Sequence, residues 1–127
     1  MDCGKDYRQT IGRLGEDMAC RFLESNGHMV LERNYRSGHL EIDIITQDSR
    51  GIHFVEVKTR RRNVQAPPQD NVDTGKQRRI ATAAKRYMNK VRLPDFEECF
   101  FDVIAITFDG DEECIEWIPQ AYIPIYL

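Results

Sequence analysis

Two strand-like segments separated by a tight turn constrain the fold of this chain more than any other feature. Residues 40–46 (LEIDIIT) and 52–59 (IHFVEVKT) are rich in β-branched residues, and residues 48–51 (DSRG) supply a turn between them. Successive side chains of a strand point to opposite faces. We therefore predict an antiparallel hairpin in which Glu41 and Asp43 share one face of the first strand.

The charged face of this hairpin brings like charges together. If the hairpin is symmetric about its turn, Asp43 lies opposite Glu56 and Glu41 lies opposite Lys58. Two carboxylates directly across an antiparallel pair repel each other, so the arrangement favours a bound cation between Asp43 and Glu56. The other face of the hairpin is predicted to carry four apolar residues, Ile42, Ile44, Val55 and Val57.

The rest of the chain predicts two helices and three further strands. Helical spacing of apolar residues indicates a first helix that Thr10 caps and Gly27 ends, and a second helix over 75–91 that Thr74 caps. The further strands are predicted at 28–35, 99–108 and 113–118, and a polar, flexible loop at 60–73.

This order of elements predicts an α/β fold, in which helices flank a central mixed five-stranded sheet. The first three strands form a meander, and the strand after the second helix can pair in parallel through a crossover. At 127 residues we expect a single domain over 1–127.

Charge is unevenly distributed along the sequence. The net charge is −3, but residues 58–94 carry 11 Lys and Arg against 2 Asp and Glu, a net of +9. Residues 95–127 carry 9 acidic residues and no Lys or Arg. A polyanion responds to the local field rather than to the total, so the central segment favours a nucleic-acid partner. A solvated helix face beside a charged loop would give the same pattern.

The cysteines and histidines give no recognisable spacing for a metal or redox site. We expect the four cysteines (Cys3, Cys20, Cys99 and Cys114) to be reduced thiols. The three histidines are His28, His39 and His53. No stretch approaches 18 apolar residues and the first residues do not resemble a secretory signal, so we expect a cytoplasmic protein without a membrane segment.

The charged hairpin face has the chemistry of phosphodiester hydrolysis. Mg²⁺ or Mn²⁺ takes oxygen ligands and is usually bound by one or two carboxylates, which Asp43 and Glu56 supply. Lys58 is a compact positive charge able to reach a phosphate oxygen or the attacking water. Glu16 lies beside the apolar stripe of the first helix and can add a further carboxylate. The same side chains are also compatible with ordinary ion pairs on a solvated strand face.

Several segments of the sequence form one recognisable pattern. They are Gly15-Glu16 with Ala19, residues 41–45 (EIDII), residues 54–60 (FVEVKTR), Val72, Lys76, Arg79-Ile80 and residues 101–104 (FDVI). Together these segments resemble the YraN-like family of small bacterial proteins. The resemblance covers nearly the whole chain. It implies a restriction-endonuclease-like fold of the PD-(D/E)XK nuclease superfamily, similar to archaeal Holliday-junction resolvases.

The resemblance also implies roles for individual residues. Asp43 and Glu56 match the metal-binding acidic residues, Lys58 matches the catalytic lysine, and Glu16 matches a catalytic helix glutamate, whereas Glu41 has no assigned counterpart. Ile42 replaces the proline of the superfamily motif. Contacts with DNA are expected from the basic segment, specifically from Arg60, Arg61, Lys76, Arg79 and Arg86. A junction-resolving enzyme needs two active sites, which favours a homodimer.

Three functional hypotheses follow from these observations. The first is a Mg²⁺- or Mn²⁺-dependent endonuclease acting on DNA, including branched DNA. The second is a nucleic-acid-binding or adaptor module that has the same scaffold and no catalytic activity. The third is a protein-interaction domain in which the basic and acidic segments neutralise each other.

Overall fold

The computed structural model describes residues 3–61, 73–92 and 98–122, with side chains from residue 10 onward. Within these residues the chain forms two helices and five strands. In chain order they are α1 (Cys3–Ser25), β1 (Met29–Ser37), β2 (Leu40–Asp48), β3 (Gly51–Arg61), α2 (Thr74–Val91), β4 (Cys99–Asp109) and β5 (Glu112–Ile118). The predicted order of elements is confirmed.

The five strands form one mixed sheet in the order β1-β2-β3-β4-β5. Strands β1, β2 and β3 are an antiparallel meander, β4 pairs in parallel with β3, and β5 returns antiparallel to β4. Helix α2 makes the connection between the two parallel strands, as a parallel pair requires. This confirms the predicted α/β class and is consistent with a restriction-endonuclease-like fold.

Each helix packs on its own face of the sheet. The core under α2 contains Ile80, Ala83, Ala84 and Tyr87 of the helix, and Ile42, Ile45, Ile52, Phe54, Phe101 and Val103 of the strands. The core under α1 contains Met18, Ala19, Cys20 and Leu23 of the helix, and Ile44, Val55, Ile104 and Ile106 of the strands. Strands β2, β3 and β4 therefore have apolar side chains on both faces, which is typical of buried central strands.

Both predicted helix starts are wrong, and the predicted end of α1 is confirmed. Helix α1 begins at Cys3, so Thr10 lies within the helix rather than at its cap. Gly27 has φ +87°, and the amide of His28 donates to the carbonyl of Leu23 (3.0 Å), which closes the last turn. The cap of α2 is Asp73, whose carboxylate accepts a hydrogen bond from the Lys76 amide (2.7 Å).

The loop predicted at 60–73 is shorter at both ends. Arg60 and Arg61 continue β3, where each pairs with a residue of β4, and Asp73 belongs to the helix cap. Residues 62–72, including Pro67 and Pro68, lie outside the described residues. In the part of the chain that is described, neither helix is long and apolar enough to cross a membrane.

Helix α1 approaches β3 closely at Gly15. A β-carbon at Gly15 would lie 2.1 Å from Cγ2 of Thr59, far inside van der Waals contact. The absence of a side chain at Gly15 therefore sets the distance between the helix and the sheet. Glu16 follows directly, so the same contact positions its carboxylate near the charged end of β3.

Gly15→Ala should destabilise the protein by about 1–3 kcal/mol, because the new methyl group must displace Thr59. Gly12→Ala is the matched control: a β-carbon there meets no atom within 4 Å, so the helix should gain roughly 0.5–1 kcal/mol. Thr59→Ser removes the obstructing methyl group and should restore stability to Gly15→Ala. Urea unfolding measures all four proteins, and equal effects at Gly12 and Gly15 would contradict the close approach.

Candidate active site

The candidate active site lies where β2 separates from β3. The ladder between these strands runs from the Asp48–Gly51 pair to the Ile44–Val55 pair. Beyond that point β2 continues to pair with β1 as far as Leu40, and β3 continues to pair with β4 as far as Arg61. The predicted register is thus confirmed up to Ile44 and Val55. Asp43 and Glu56 come next in this register. They lie where the gap between the separated strands begins, and we call this gap the notch.

Beside the notch, the paired strands β1 and β2 also reverse the faces to which their side chains point. Asn34 of β1 has a left-handed backbone (φ +52°), which asparagine tolerates better than most residues. Ile42, paired with Tyr35, packs in the core under α2, whereas Ile44 packs in the core under α1. The prediction that Ile42 and Ile44 share a face is therefore wrong. The turnover lies at Asp43, between the two isoleucines.

Asp43 is held by a backbone hydrogen bond and repelled by its neighbours. The amide of Val57 donates to its Oδ2 (2.9 Å), which fixes the orientation of the carboxylate. Burial and the negative charge of Glu56 raise the pKa of Asp43 to about 7, with smaller contributions from Glu16 and Glu41. Acidic residues on β2, β3 and α1 therefore lie close enough to the Asp43 carboxylate to raise its pKa.

Glu56 is buried and contacts two lysines. The Nζ atoms of Lys58 (3.4 Å) and Lys76 both reach its Oε1, and the contact with Lys76 is the closer one. Burial and the neighbouring ammonium group of Lys76 lower the pKa of Lys58. Burial by itself would lower the pKa of Lys76, but the hydrogen bond to the carboxylate of Glu56 and the other nearby groups together outweigh burial, so the pKa of Lys76 is raised. Lys76 was predicted as a DNA-binding residue, and the structure places its side chain at Glu56.

Glu16 and Glu41 lie at the edges of this group and pair with arginines. Oε1 of Glu16 is 3.9 Å from Arg33, and Oε2 of Glu41 is 3.9 Å from Arg36. Glu41 was predicted to lie opposite Lys58, but the β2–β3 ladder has ended before that pair. Its partner is instead Arg36, which faces it across the β1–β2 ladder.

An open cleft of about 640 Å³ adjoins Glu16 on the α1 side, and sequence reasoning missed it. Its wall includes three arginines, Arg13, Arg33 and Arg36. They come from α1 and β1, far in sequence from the basic segment 58–94. Only the packing of α1 against β1 brings them together, and Arg33 is fixed there by Asp17 (2.8 Å).

The four remaining basic residues of the prediction are spread around the site. Arg60 donates from Nε to Oγ1 of Thr107 (3.3 Å), and Arg61 ends β3 in an exposed position. Arg79 is exposed near the start of α2. Arg86 is exposed further along this helix, where its Nη1 donates to Oγ of Ser37 (3.3 Å) beside the β1–β2 turn.

The residues present fit a hard divalent cation. The donors that the fold brings to the notch are carboxylate oxygens, the ligands that Mg²⁺ and Mn²⁺ prefer. Burial and, after it, the negative charge of Glu56 raise the pKa of Asp43, and a bound cation would offset both effects. The ammonium group of Lys76 supplies positive charge at Glu56.

Sequence comparisons place the chain among bacterial relatives of similar length. A profile of the "Uncharacterised protein family UPF0102" matches residues 15–106, a span that begins at Gly15 and contains the whole notch. The chain belongs to the UPF0102 family. Membership of this family, which the YraN-like resemblance predicted, is thereby confirmed.

Individual UPF0102 proteins resemble the chain along most of its length. A UPF0102 protein of Geobacter metallireducens is 44% identical over 117 residues, which cover 91% of this chain and 94% of the relative. Those of Trichlorobacter lovleyi and Clostridium perfringens are 45% and 41% identical, and each alignment covers 91% of the relative. It covers 90% of this chain in the first case and 88% in the second.

In this UPF0102 protein Asp43→Asn should raise the thermal midpoint in a chelator at pH 8. The amide removes a negative charge beside Glu56 and keeps an oxygen for the Val57 amide. Mg²⁺ or Mn²⁺ at about 100 times its Kd should stabilise the wild type by roughly 2.7 kcal/mol and leave Asp43→Asn unchanged. Differential scanning fluorimetry measures both effects.

The matched control for this experiment is Glu112→Gln, which removes an exposed carboxylate from β5. It should behave as the wild type does, with and without the ion. An equal response of Asp43→Asn to Mg²⁺ would mean that the ion does not bind at Asp43. A variant less stable than the wild type in the chelator would contradict the repulsion between Asp43 and Glu56.

Proposed function

We propose that this protein is a metal-dependent endonuclease that hydrolyses phosphodiester bonds in DNA. The observation that carries the proposal is the notch between β2 and β3, which gathers Asp43, Glu56 and Lys58 beside Glu16. A carboxylate whose pKa is raised by burial and by the adjacent Glu56, together with a lysine whose pKa is lowered, is a set of groups that suits such a reaction. Family membership brings no activity with it, so the proposal depends on this geometry.

Each side chain has a separate task in the proposed reaction. Asp43, oriented by the Val57 amide, and Glu56 would hold a Mg²⁺ or Mn²⁺ ion. When bound, the ion neutralises charge on the phosphate and makes water a better nucleophile. Lys58 contacts Glu56 through a flexible stem, so its ammonium group can orient the water or donate a hydrogen bond to the phosphate. Glu16 approaches from α1 and can hold a second water.

Lys76 gives the site a way to respond to a cation. A cation held by Glu56 would compete with the ammonium group of Lys76, which would then have to leave the carboxylate. Lys76 lies in the first turn of α2, where the helix dipole is also positive. Once displaced, its ammonium group is well placed to bind a DNA phosphate next to the ion.

The surface around the notch suits a polyanion. The exposed side of α2 carries Arg79 and Arg86, and Arg86 lies at the β1–β2 turn, at the end of the sheet where the notch opens. On the other side, the cleft beside Glu16 presents Arg13 and Arg36. If these arginines bind phosphates on both sides of the notch, the DNA backbone passes over Lys58. Duplex and branched DNA both satisfy this geometry.

A second candidate function is DNA binding without hydrolysis. It is favoured by the close contact between Lys76 and Glu56, which satisfies the carboxylate without any ion. In this case the notch would be a buried ion-pair network, and Mg²⁺ would not stabilise the protein. The absence of any ion-dependent shift in the wild type, together with intact DNA binding, would favour this candidate.

Purified protein should cleave DNA at low salt in Mg²⁺ or Mn²⁺. Asp43→Asn, Glu56→Gln and Lys58→Met should each lower the rate by at least about 10²-fold, because each removes a charge that acts on the reacting phosphate. Supercoiled plasmid and a synthetic four-way junction are suitable substrates, followed by gel electrophoresis. Glu112→Gln, purified in the same way, should retain the wild-type rate. Equal cleavage by all variants would assign the activity to a contaminant.

DNA binding should weaken steeply with salt, because phosphate contacts release counterions. Arg79→Gln with Arg86→Gln should reduce the slope of log K against log salt by about 2, roughly 0.9 for each lost phosphate contact. Lys76 is left intact because it also contacts Glu56. Fluorescence anisotropy with the Asp43→Asn background measures binding without cleavage.

The matched control for the binding experiment is the double change Arg21→Gln and Arg50→Gln. Arg21 is exposed on α1, and Arg50 lies over Phe100 at the β2–β3 turn, at the opposite end of β3 from Lys58. It removes the same charge and should leave the slope unchanged. Equal slopes for the two double variants would place the DNA elsewhere on the protein.

A further inference from the structure

A second buried polar cluster lies at the opposite end of the β2–β3 hairpin. It consists of His28, three residues after the end of α1 at Ser25, and of Asp48 and His53 on either side of the hairpin turn. The side chains of His28 and His53 are each 1% exposed, and that of Asp48 is 14% exposed. Asp48 is five residues from Asp43 along β2, so the two clusters are roughly 16 Å apart.

The three side chains converge on one point. Nε2 of His53 is 2.9 Å from Oδ1 of Asp48, and Nε2 of His28 is 3.5 Å from Oδ2 of the same carboxylate. One nitrogen or oxygen from each residue lies within 4.8 Å of the other two. Ligand atoms around a tetrahedral zinc ion at 2.0–2.1 Å are about 3.3–3.5 Å apart, so a small adjustment would complete the geometry.

The second nitrogen of each imidazole ring, Nδ1, already has a hydrogen-bond partner. Nδ1 of His53 donates to Oδ2 of Asp102 (2.7 Å), and Nδ1 of His28 is 2.8 Å from Oγ1 of Thr46. Asp102 is fully buried and also accepts a hydrogen bond from the Gln120 amide (2.9 Å). Histidines that bind a metal through one ring nitrogen usually have an oxygen partner at the other nitrogen, which fixes the orientation of the ring.

One atom in this cluster has no hydrogen bond. Among the buried side-chain atoms of the described residues, Nε2 of His28 is one that lacks a hydrogen-bond partner. It points towards Asp48 but lies beyond good hydrogen-bonding distance from it. A buried nitrogen without a partner is unfavourable, and a cation between the two rings would satisfy it.

We propose that His28, Asp48 and His53 bind a divalent transition-metal ion of the zinc class. Two imidazole nitrogens and one carboxylate oxygen suit Zn²⁺ and are poor ligands for Mg²⁺. Thr46 and Asp102 orient the two rings. The ion would join the end of α1 to the hairpin turn, and Asp48, the most exposed ligand, marks its route of entry.

Isothermal titration of tag-free, chelator-treated protein with Zn²⁺ tests this proposal. One equivalent should bind to the wild type. His28→Gln should lower the affinity by at least about 100-fold, and Thr46→Val, which keeps all three ligands, should lower it by about 10–100-fold. Asp43→Asn, which alters only the other cluster, should bind Zn²⁺ as the wild type does. Circular dichroism establishes that each variant is folded, and Thr46→Val decides the matter if His28→Gln is not.

Cobalt substitution identifies the ligands independently. Co²⁺ at this site should give the visible absorption of a four- or five-coordinate nitrogen and oxygen site, lost in His28→Gln. A thiolate charge-transfer band would place the ion on cysteine and overturn the proposal. So would the absence of Zn²⁺ uptake by folded wild-type protein, or a Zn²⁺ affinity equal to that of the wild type in folded His28→Gln or in Thr46→Val. None of these readouts depends on nuclease activity, so each can fail while the nuclease proposal stands.

Discussion

The separation of β2 from β3 after the Ile44–Val55 pair is the constraint on which the candidate active site depends. Had the ladder continued, the next pair would have placed Asp43 and Glu56 side by side on a closed sheet. Instead, the carboxylate of Asp43 accepts the Val57 amide hydrogen bond, which replaces a backbone contact with a side-chain one. The left-handed Asn34 lets β1 follow β2, so the notch opens without breaking the outer pair.

The electrostatic cost of this notch is offset by the cores on either side of it. Burial and the charge of Glu56 raise the pKa of Asp43 to about 7, so this group costs stability progressively as the pH rises from about 4 and in full above about 7. Ile42 and Ile44 flank it and are almost fully buried in opposite cores, which fixes the backbone of β2 at this point. Destabilising polar groups held in place by rigid packing are typical of functional sites.

The sequence was sufficient for what depends on local pattern. The period of two in residues 40–46 and 52–59 predicts the hairpin register, and helical periodicity predicts both helices. It was not sufficient where tertiary contacts decide. Ile42 and Ile44 face opposite cores because β2 reverses its faces at Asp43, opposite the left-handed Asn34. Lys76 reaches Glu56 only because α2 crosses the sheet. The pairing of His28 with His53 was also hidden, because 25 residues and two strands separate them. Chain spacing carries no signal for such a cluster.

The two polar clusters lie at opposite ends of the β2–β3 hairpin and differ in their ligand chemistry, and helix α1 adjoins both. The notch offers carboxylates, whereas the turn end offers two imidazoles and one carboxylate, so one cation would not satisfy both. Helix α1 touches β3 at Gly15, next to Glu16, and ends at Ser25, where the amide of His28 donates to the carbonyl of Leu23. An ion that fixed His28 to the hairpin turn would therefore fix the far end of the helix that carries Glu16.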